Sequence, residues 1–202
     1  EHNGVKISEM GGDEKLHPDF RIFGTMNPAE FAGRNPMSAA GKDRWTSYLY
    51  VKNATAEDYN AMMMQSVYGI QPDVEIHGVK YQQERGEPTH PELMNIDGFE
   101  RFIGVFSEFQ SKIEEMAREK IIGRNKKEQY VFTRRSMFEF LEFLSVKKIL
   151  DRETGKKVDV FKNAKEIILR GIQYYYIDRI SNETDQKKVR DMLGSLGLTE
   201  ST

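Results

Sequence analysis

Cysteine is absent from the sequence, which excludes disulfide bonds and any metal site built on thiolates. No stretch contains the roughly 18 consecutive apolar residues of a membrane-spanning helix. No signal peptide is visible, and the chain begins with Glu1 rather than Met, which suggests an excised fragment or a processed chain. These absences predict a cytoplasmic protein without membrane contact. The Asn-x-Thr triplets at Asn53 and Asn182 are therefore expected to be chance matches to the glycosylation motif.

A strong net charge is also missing. Lys and Arg number 30, Asp and Glu number 32, and the formal net charge is −2. Without a global positive field, neither nucleic acid nor an acidic membrane surface is expected as the main partner. The sequence does offer 202 residues with a hydrophobic share of 38%, which is ample for a core.

The first 52 residues are predicted to form a small α/β piece. The apolar run from Phe20 to Thr25 is typical of a strand buried on both faces, and Asn27 before a proline ends it. The elements expected here, in chain order, are a hairpin around 5–12, a strand over 20–25, a short helix over 36–43 and a second strand over 46–51.

Residues 53–202 are predicted to form a helical domain, so the fold class is mostly α with a small α/β piece. Apolar residues recur there at three- and four-residue spacing, as in helices with one buried face. Thr55 and Asp58 resemble a capping box, and Gly69 is placed to close the helix they open. Further helices are expected over 99–117, from an N-cap at Thr133, over 161–180 and from a cap at Asp185. Between them we expect a long connection over 70–98 with one hairpin at 74–81, and a turn over 151–157.

The strongest marks of a nucleotide-hydrolysing enzyme are missing. No G-x-x-x-x-G-K-[ST] loop, whose backbone amides and lysine would hold phosphates, occurs in the chain. A strand ending in Asp-Glu, which would hold magnesium, is missing too. Phosphoryl transfer depends on positioning and on placing positive charge where negative charge develops. Residues outside the phosphate-binding loop can therefore have an accessory role in it.

Three kinds of residue are placed for such an accessory role. Asn27 follows the predicted strand, where its amide can hydrogen-bond an attacking water or a terminal phosphate. Arg44 ends the short helix and can reach a neighbouring subunit's nucleotide. Arg134 and Arg135 stand in the first turn of a later helix, against the helix dipole. Each also has a structural interpretation: a turn residue for Asn27, a salt bridge for the Asp43–Arg44 pair.

The order of these motifs resembles the sensor-1 and arginine-finger region of the AAA+ ATPases, within the MoxR, midasin and dynein-related branch. The resemblance rests on His17-Pro-Asp-Phe-Arg-Ile-Phe-Gly-Thr-Met-Asn-Pro, Phe31-Ala-Gly-Arg and Asp43-Arg-Trp, followed by Tyr130-Val-Phe-Thr-Arg-Arg-Ser-Met near a sensor-2 helix start. It implies that residues 1–52 are the last strands of a P-loop core and that residues 53–202 are its helical lid.

The resemblance also implies roles for individual residues. Asn27 would be the sensor-1 residue, Arg44 the arginine finger acting in trans, and Arg135 the lid arginine. Arg134 stands where the family often has proline, so either arginine could be the lid sensor. Arg34 is expected at a subunit contact. The intact protein would bind ATP and Mg2+ in a hexameric-type ring and remodel a protein client, whereas this chain alone would bind no cofactor and hydrolyse no ATP.

Two alternatives remain at this stage. A non-catalytic helical scaffold or protein-interaction domain derived from the same family would have the same motifs without the chemistry. A nucleic-acid binder would use Arg134, Arg135 and the basic stretch 124–127, although the near-neutral net charge argues against it.

Overall fold

A computed structural model describes residues 4–7, 12–15, 17, 19–26, 38–124, 129–146, 148–150, 157–159 and 163–198. The chain is mostly helical and separates into two compact units, residues 1–51 and residues 52–202. Over the described residues, no helix is both long enough and apolar enough to cross a bilayer.

The described residues of the first unit form one hairpin and one turn of helix. Strand β1 (Gly4–Ile7) pairs antiparallel with β2 (Gly12–Lys15), which confirms the predicted hairpin. Helix α1 (Ala39–Lys42) is shorter than the predicted 36–43, and positions 36 and 37 lie outside the described residues. The Ser38 side chain accepts a hydrogen bond from the Gly41 amide at 3.0 Å, which holds this single turn.

The two strands predicted in the first unit are wrong. Residues 20–25 and 46–51 are irregular, and apolar side chains on them face solvent, with Phe23 92% and Leu49 90% exposed. A strand that is apolar on both faces needs neighbours at both edges and cover above and below. Within the described part of this unit, a single two-stranded hairpin is the only sheet, and neither segment pairs with a described strand.

The second unit is built on five helices among its described residues. Helix α2 has the capping box predicted from Thr55 and Asp58, and Gly69 closes it at φ 68° in the left-handed region. The helix that the sequence predicts from Thr133 carries the expected buried face. The bounds are α2 Ala56–Tyr68, α3 Phe99–Arg118, α4 Arg134–Ser145, α5 Ala164–Ile172 and α6 Glu183–Ser195.

Two hairpins lie between helices in the described part of this unit. Strands β3 (Val74–Ile76) and β4 (Val79–Tyr81) confirm the hairpin expected in the long connection, which also contains a 3-10 turn over Pro91–Asn95. Strands β5 (Lys148–Leu150) and β6 (Lys157–Asp159) form a hairpin that was not predicted. The predicted turn at 151–157 falls mostly outside the described residues, and its last residue, Lys157, begins β6.

The helix expected over 161–180 is confirmed over residues 164–177, where α5 continues directly into a π-helical turn, Gln173–Ile177, in which Tyr176 and Ile177 are buried. One prediction near the C-terminus is wrong. Asp185 does not cap the last helix. Asn182 is the N-cap, and its side chain accepts a hydrogen bond from the Asp185 amide at 3.1 Å, because Asp185 lies three residues inside the helix start.

Aromatic rings form the centre of the core in the second unit. The ring of Phe106 on α3 stacks on that of Phe140 on α4, with centroids 4.7 Å apart, and meets Tyr176 edge-on at 5.7 Å. Tyr176 also stacks on Phe132, just before α4, at 5.7 Å. Aromatic pairs in these geometries contribute beyond their buried area. The cluster therefore joins α3, the start of α4 and the π-helical turn.

Candidate functional site

The residues predicted to carry chemistry fall into three groups in the structure. Asn27 and Arg34 lie outside the described residues. Arg44 belongs to the first unit. Arg134 and Arg135 belong to the second unit, where they are the first two residues of α4.

Arg44 lies in an exposed turn directly after α1. The turn is closed by a hydrogen bond from the Trp45 amide to the Lys42 carbonyl at 3.0 Å. The Trp45 ring lies against Gly24, so close that a Cβ at Gly24 would be 2.8 Å from Cη2 of the ring. This contact holds the turn with Arg44 beside the irregular segment that precedes Asn27.

Arg44 does not form the salt bridge that a purely structural interpretation of the Asp43–Arg44 pair would require. Among the residues the structure describes, no carboxylate lies within 4.0 Å of its guanidinium.

Arg134 and Arg135 are both exposed at the start of α4. The N-cap, Thr133, has extended backbone, with φ −123° and ψ 179°, but its side chain makes no capping hydrogen bond. No acidic residue occurs in the first turn. Because the helix dipole already places partial positive charge at this end, the two guanidinium groups add to it instead of offsetting it.

A third arginine, Arg179, contacts this end of the helix from a position 43 residues further along the chain. Arg179 donates from Nη1 to the Ser136 hydroxyl at 3.0 Å, and its guanidinium lies 5.7 Å from the centre of the Phe132 ring. Ser136 is the third residue of α4, so Arg179 reaches the same first turn. Sequence reasoning missed it, because nothing in the local pattern around 179 indicates a contact 43 residues away.

A network of buried and part-buried polar side chains contacts the residue that precedes α4. Tyr176 donates to Oε1 of Gln110 at 2.6 Å, and Nε2 of Gln110 donates to the Thr133 carbonyl at 3.5 Å. Tyr59 on α2 donates to Glu114 on α3. The two bonds of Gln110 link the residue that precedes the arginines to α3 and to the π-helical turn, and the Tyr59 bond joins α2 to α3.

The charges of Arg134 and Arg179 also affect the pKa values of the tyrosine hydroxyls in this network. Burial is the main cause that raises the pKa of the Tyr59 hydroxyl, the hydrogen bond and charge of Glu114 add to it, and the charge of Arg134 opposes it. Burial likewise raises the pKa of Tyr176, with Arg179 as an opposing charge. Both hydroxyls therefore remain protonated donors, as the network requires.

No protein-family model, curated protein or solved structure matches the chain. A functional assignment therefore depends on the motifs in the sequence and on the arginines placed by the structure. Arg134 and Arg135 at the start of α4, Arg179 beside it and Arg44 in the other unit are among the described groups suited to an anionic ligand.

Proposed function

We propose that the chain is the C-terminal portion of a MoxR-like AAA+ ATPase. In this proposal Asn27 and Arg44 contribute to ATP hydrolysis between ring subunits, and Arg135 or Arg134 is the arginine of a helical lid. Hydrolysis would drive the remodelling of a protein client, in a ring of the hexameric type.

The observation that carries the proposal is the order of the motifs along the chain. A strand-like apolar run, a polar residue, a Gly-Arg loop and an Asp-Arg-Trp segment follow one another between residues 17 and 45. An Arg-Arg pair then begins a helix in a separate unit. The exposure of Arg44 and of both lid arginines, without carboxylate partners among the described residues, fits groups that contact a phosphate.

Each residue has a distinct part in the proposed reaction. The Asn27 amide hydrogen-bonds the attacking water or the terminal phosphate, and Arg44 of one subunit neutralises charge that develops on the phosphate bound by its neighbour. The lid arginine contacts the phosphates and senses the position of the lid.

The described residues contain no group of three His, Asp or Glu side chains that could hold a metal ion. Magnesium, which would neutralise phosphate charge, is a cofactor of the intact protein in this proposal.

The test begins with the reading frame upstream of Glu1. A phosphate-binding Gly-Lys-[Ser/Thr] loop encoded there supports the ATPase, whereas a start codon adjacent to residue 1 would favour the non-catalytic scaffold. With the intact protein, we expect Arg44→Ala to lower the rate of ATP hydrolysis by about 1,000-fold or more, as loss of an arginine finger does. Arg101→Ala is the matched control, because it removes an exposed arginine from the first turn of α3.

Two results would overturn the proposal. One is an intact protein in which Arg44→Ala and Arg101→Ala hydrolyse ATP equally fast. The other is turnover of ATP and magnesium by the purified 202-residue chain that is abolished by Asn27→Ala, since the phosphate-binding half would then not be needed.

A further inference from the structure

We propose that Phe143, Tyr174 and Tyr175, with Glu139 and Glu142 beside them, form a docking surface for an arginine-containing segment of a partner protein. These five residues are called the aromatic–acidic patch below. The patch lies wholly within the second unit. It shares no residue with the groups proposed to act in ATP hydrolysis.

The three aromatic rings of the patch contact one another. The Tyr174 ring meets the Tyr175 ring at 83°, with centroids 5.1 Å apart, and the Tyr175 ring lies 5.6 Å from that of Phe143. Gly171 permits this close approach of α5 to α4, because a Cβ at that position would be 3.1 Å from Cε1 of Phe143. The two tyrosine rings therefore form a right-angled corner, an arrangement in which ring faces can receive a cation.

Packing of the core does not account for the position of Tyr174. Tyr176, two residues later, is completely buried in the core, whereas Tyr174 is 61% exposed. The turn that holds both is π-helical, a geometry that accounts for well under 1% of residues and recurs at functional sites. An exposed tyrosine held by a neighbouring ring offers a large contact area at a low cost in conformational entropy.

The two carboxylates of the patch are exposed and have no cationic partner. Glu139 lies one helical turn before Phe143 on α4, and Glu142 lies three residues after Glu139, so the three are neighbours on the helix surface. In the described ranges of the chain, no Lys or Arg nitrogen lies within 4.0 Å of either carboxylate. Arg170 on the adjoining helix α5 is paired instead with Glu166, at 2.8 Å.

The Tyr175 hydroxyl experiences the negative potential of these carboxylates. Burial is the main cause that raises the pKa of this hydroxyl, and its interactions with Tyr174, Glu139 and Glu142 raise the pKa further. Because carboxylates and the faces of aromatic rings both attract positive charge, the charge and the shape of the patch complement the same kind of group.

An arginine side chain complements the patch better than a lysine side chain does. Its planar guanidinium group can stack on a tyrosine face and donate hydrogen bonds from its edge to a carboxylate. The lysine ammonium is a compact and more strongly hydrated charge without a face that stacks. Since the Tyr174 ring is exposed and not enclosed, as a site for a small free cation would be, the arginine is expected on a segment of a larger partner.

The test titrates the 202-residue chain with a hexapeptide of alternating arginine and glycine at low ionic strength, followed by amide chemical shifts. We expect the largest shifts in α4 and in the π-helical turn. Tyr174→Leu should weaken binding about two- to fivefold, the usual loss for an exposed cation–π contact. Tyr81→Leu is the matched control, because it removes an exposed tyrosine from β4, and it should bind like wild type.

The carboxylates are tested by a second pair of variants. Glu139→Gln combined with Glu142→Gln should weaken binding about fivefold and make it less sensitive to salt, because the ion pairs it removes are exposed and screened. Glu84→Gln combined with Glu87→Gln changes the net charge equally, at exposed positions before α3, and should leave the affinity nearly unchanged. A hexapeptide of alternating lysine and glycine should bind wild type more weakly than the arginine hexapeptide does.

The docking surface would be overturned by any of three results: no binding of the arginine hexapeptide to wild type, largest shifts outside the patch, or equal binding by wild type and Tyr174→Leu. Equal affinity for the lysine hexapeptide would overturn the assignment to arginine. Far-ultraviolet circular dichroism of each variant separates loss of binding from loss of fold. If Tyr174→Leu is unstable, the variants of Glu139 and Glu142 decide the question, since both side chains are exposed.

Discussion

At the scale of single residues, Asp185 connects two parts of the second unit that are distant in sequence. Its carboxylate accepts hydrogen bonds from the Gly123 amide and from the Lys188 ammonium, each at 2.8 Å, and the residue is only 7% exposed. Burial alone would raise the pKa of Asp185, but the bonds from Lys188 and Gly123 outweigh it and hold the pKa below its ordinary value. Asp185 thereby fastens the segment after α3 to the start of α6.

This geometry predicts a pH-dependent contribution to stability. A carboxylate whose pKa is lowered by folding stabilises the protein above its unfolded pKa, about 3.9, and loses that contribution as pH falls through its folded pKa. We expect Asp185→Asn to lower the free energy of unfolding at pH 7 by about 1–3 kcal/mol, as for a disrupted buried hydrogen-bonded charge. Urea denaturation at pH 7 and at about pH 3 measures the difference between variant and wild type, which should shrink at the lower pH.

Asp191→Asn is the control, since Asp191 is exposed on the same helix. A difference between Asp185→Asn and wild type that stays constant across this pH range would contradict the role assigned to the carboxylate.

At the scale of secondary structure elements, the helix starts divide into capped and uncapped ones. At α2, the Asp58 amide donates to the Thr55 hydroxyl at 3.2 Å, and the Thr55 amide donates back to the Asp58 carboxylate at 2.8 Å. At α4, the Thr133 side chain makes no such bond. We therefore expect threonine to contribute more to stability at the N-cap of α2 than at the N-cap of α4.

We expect Thr55→Ala to lower the free energy of unfolding by about 1 kcal/mol, and Thr133→Ala by less than about 0.5 kcal/mol. Chemical denaturation of the two variants against wild type provides the measurement. Equal losses would mean that the Thr133 hydroxyl caps α4 in solution after all.

Elements with local signals were predictable from the sequence, and elements that depend on distant partners were not. The capping box at Thr55, the glycine at 69 and the apolar face of α4 are local, and each lies where it was predicted. The segments 20–25 and 46–51 have strand-like composition but no neighbouring strands among the described residues. The hairpin of β5 and β6 has only three paired residues on each side, too few for a visible alternation.

In the candidate site, too, residues with local signals could be predicted and residues that depend on distant contacts could not. The position of Arg134 and Arg135 at a helix start could be predicted, because an N-cap and a helical pattern lie next to them. Arg179 could not be, since its place depends on a π-helical turn and on a contact with Ser136 across the fold.

At the scale of the whole molecule, the described core belongs to one of the two units. Every buried hydrophobic residue among those described lies between Tyr59 and Leu193. In the first unit, by contrast, no described side chain is buried. Since burial of apolar surface is the dominant favourable contribution to folding, the second unit should hold its structure without the first.

We expect a chain of residues 52–202 to unfold in one cooperative transition with helical circular dichroism, because it retains the whole described core. A peptide of residues 1–51 should show no cooperative transition. Loss of cooperativity in the longer piece would show that its core requires residues of the first unit.

The contact between Trp45 and Gly24 has a practical consequence for such experiments. Trp45 is the only tryptophan in the chain, and its indole packs within the unit that lacks a described core. The nine tyrosines include Tyr59 and Tyr176, which lie in the core of the other unit. Selective excitation of the indole therefore follows the environment of the turn that carries Arg44, while circular dichroism follows the helices, so one unmodified sample reports on the two units through separate optical signals.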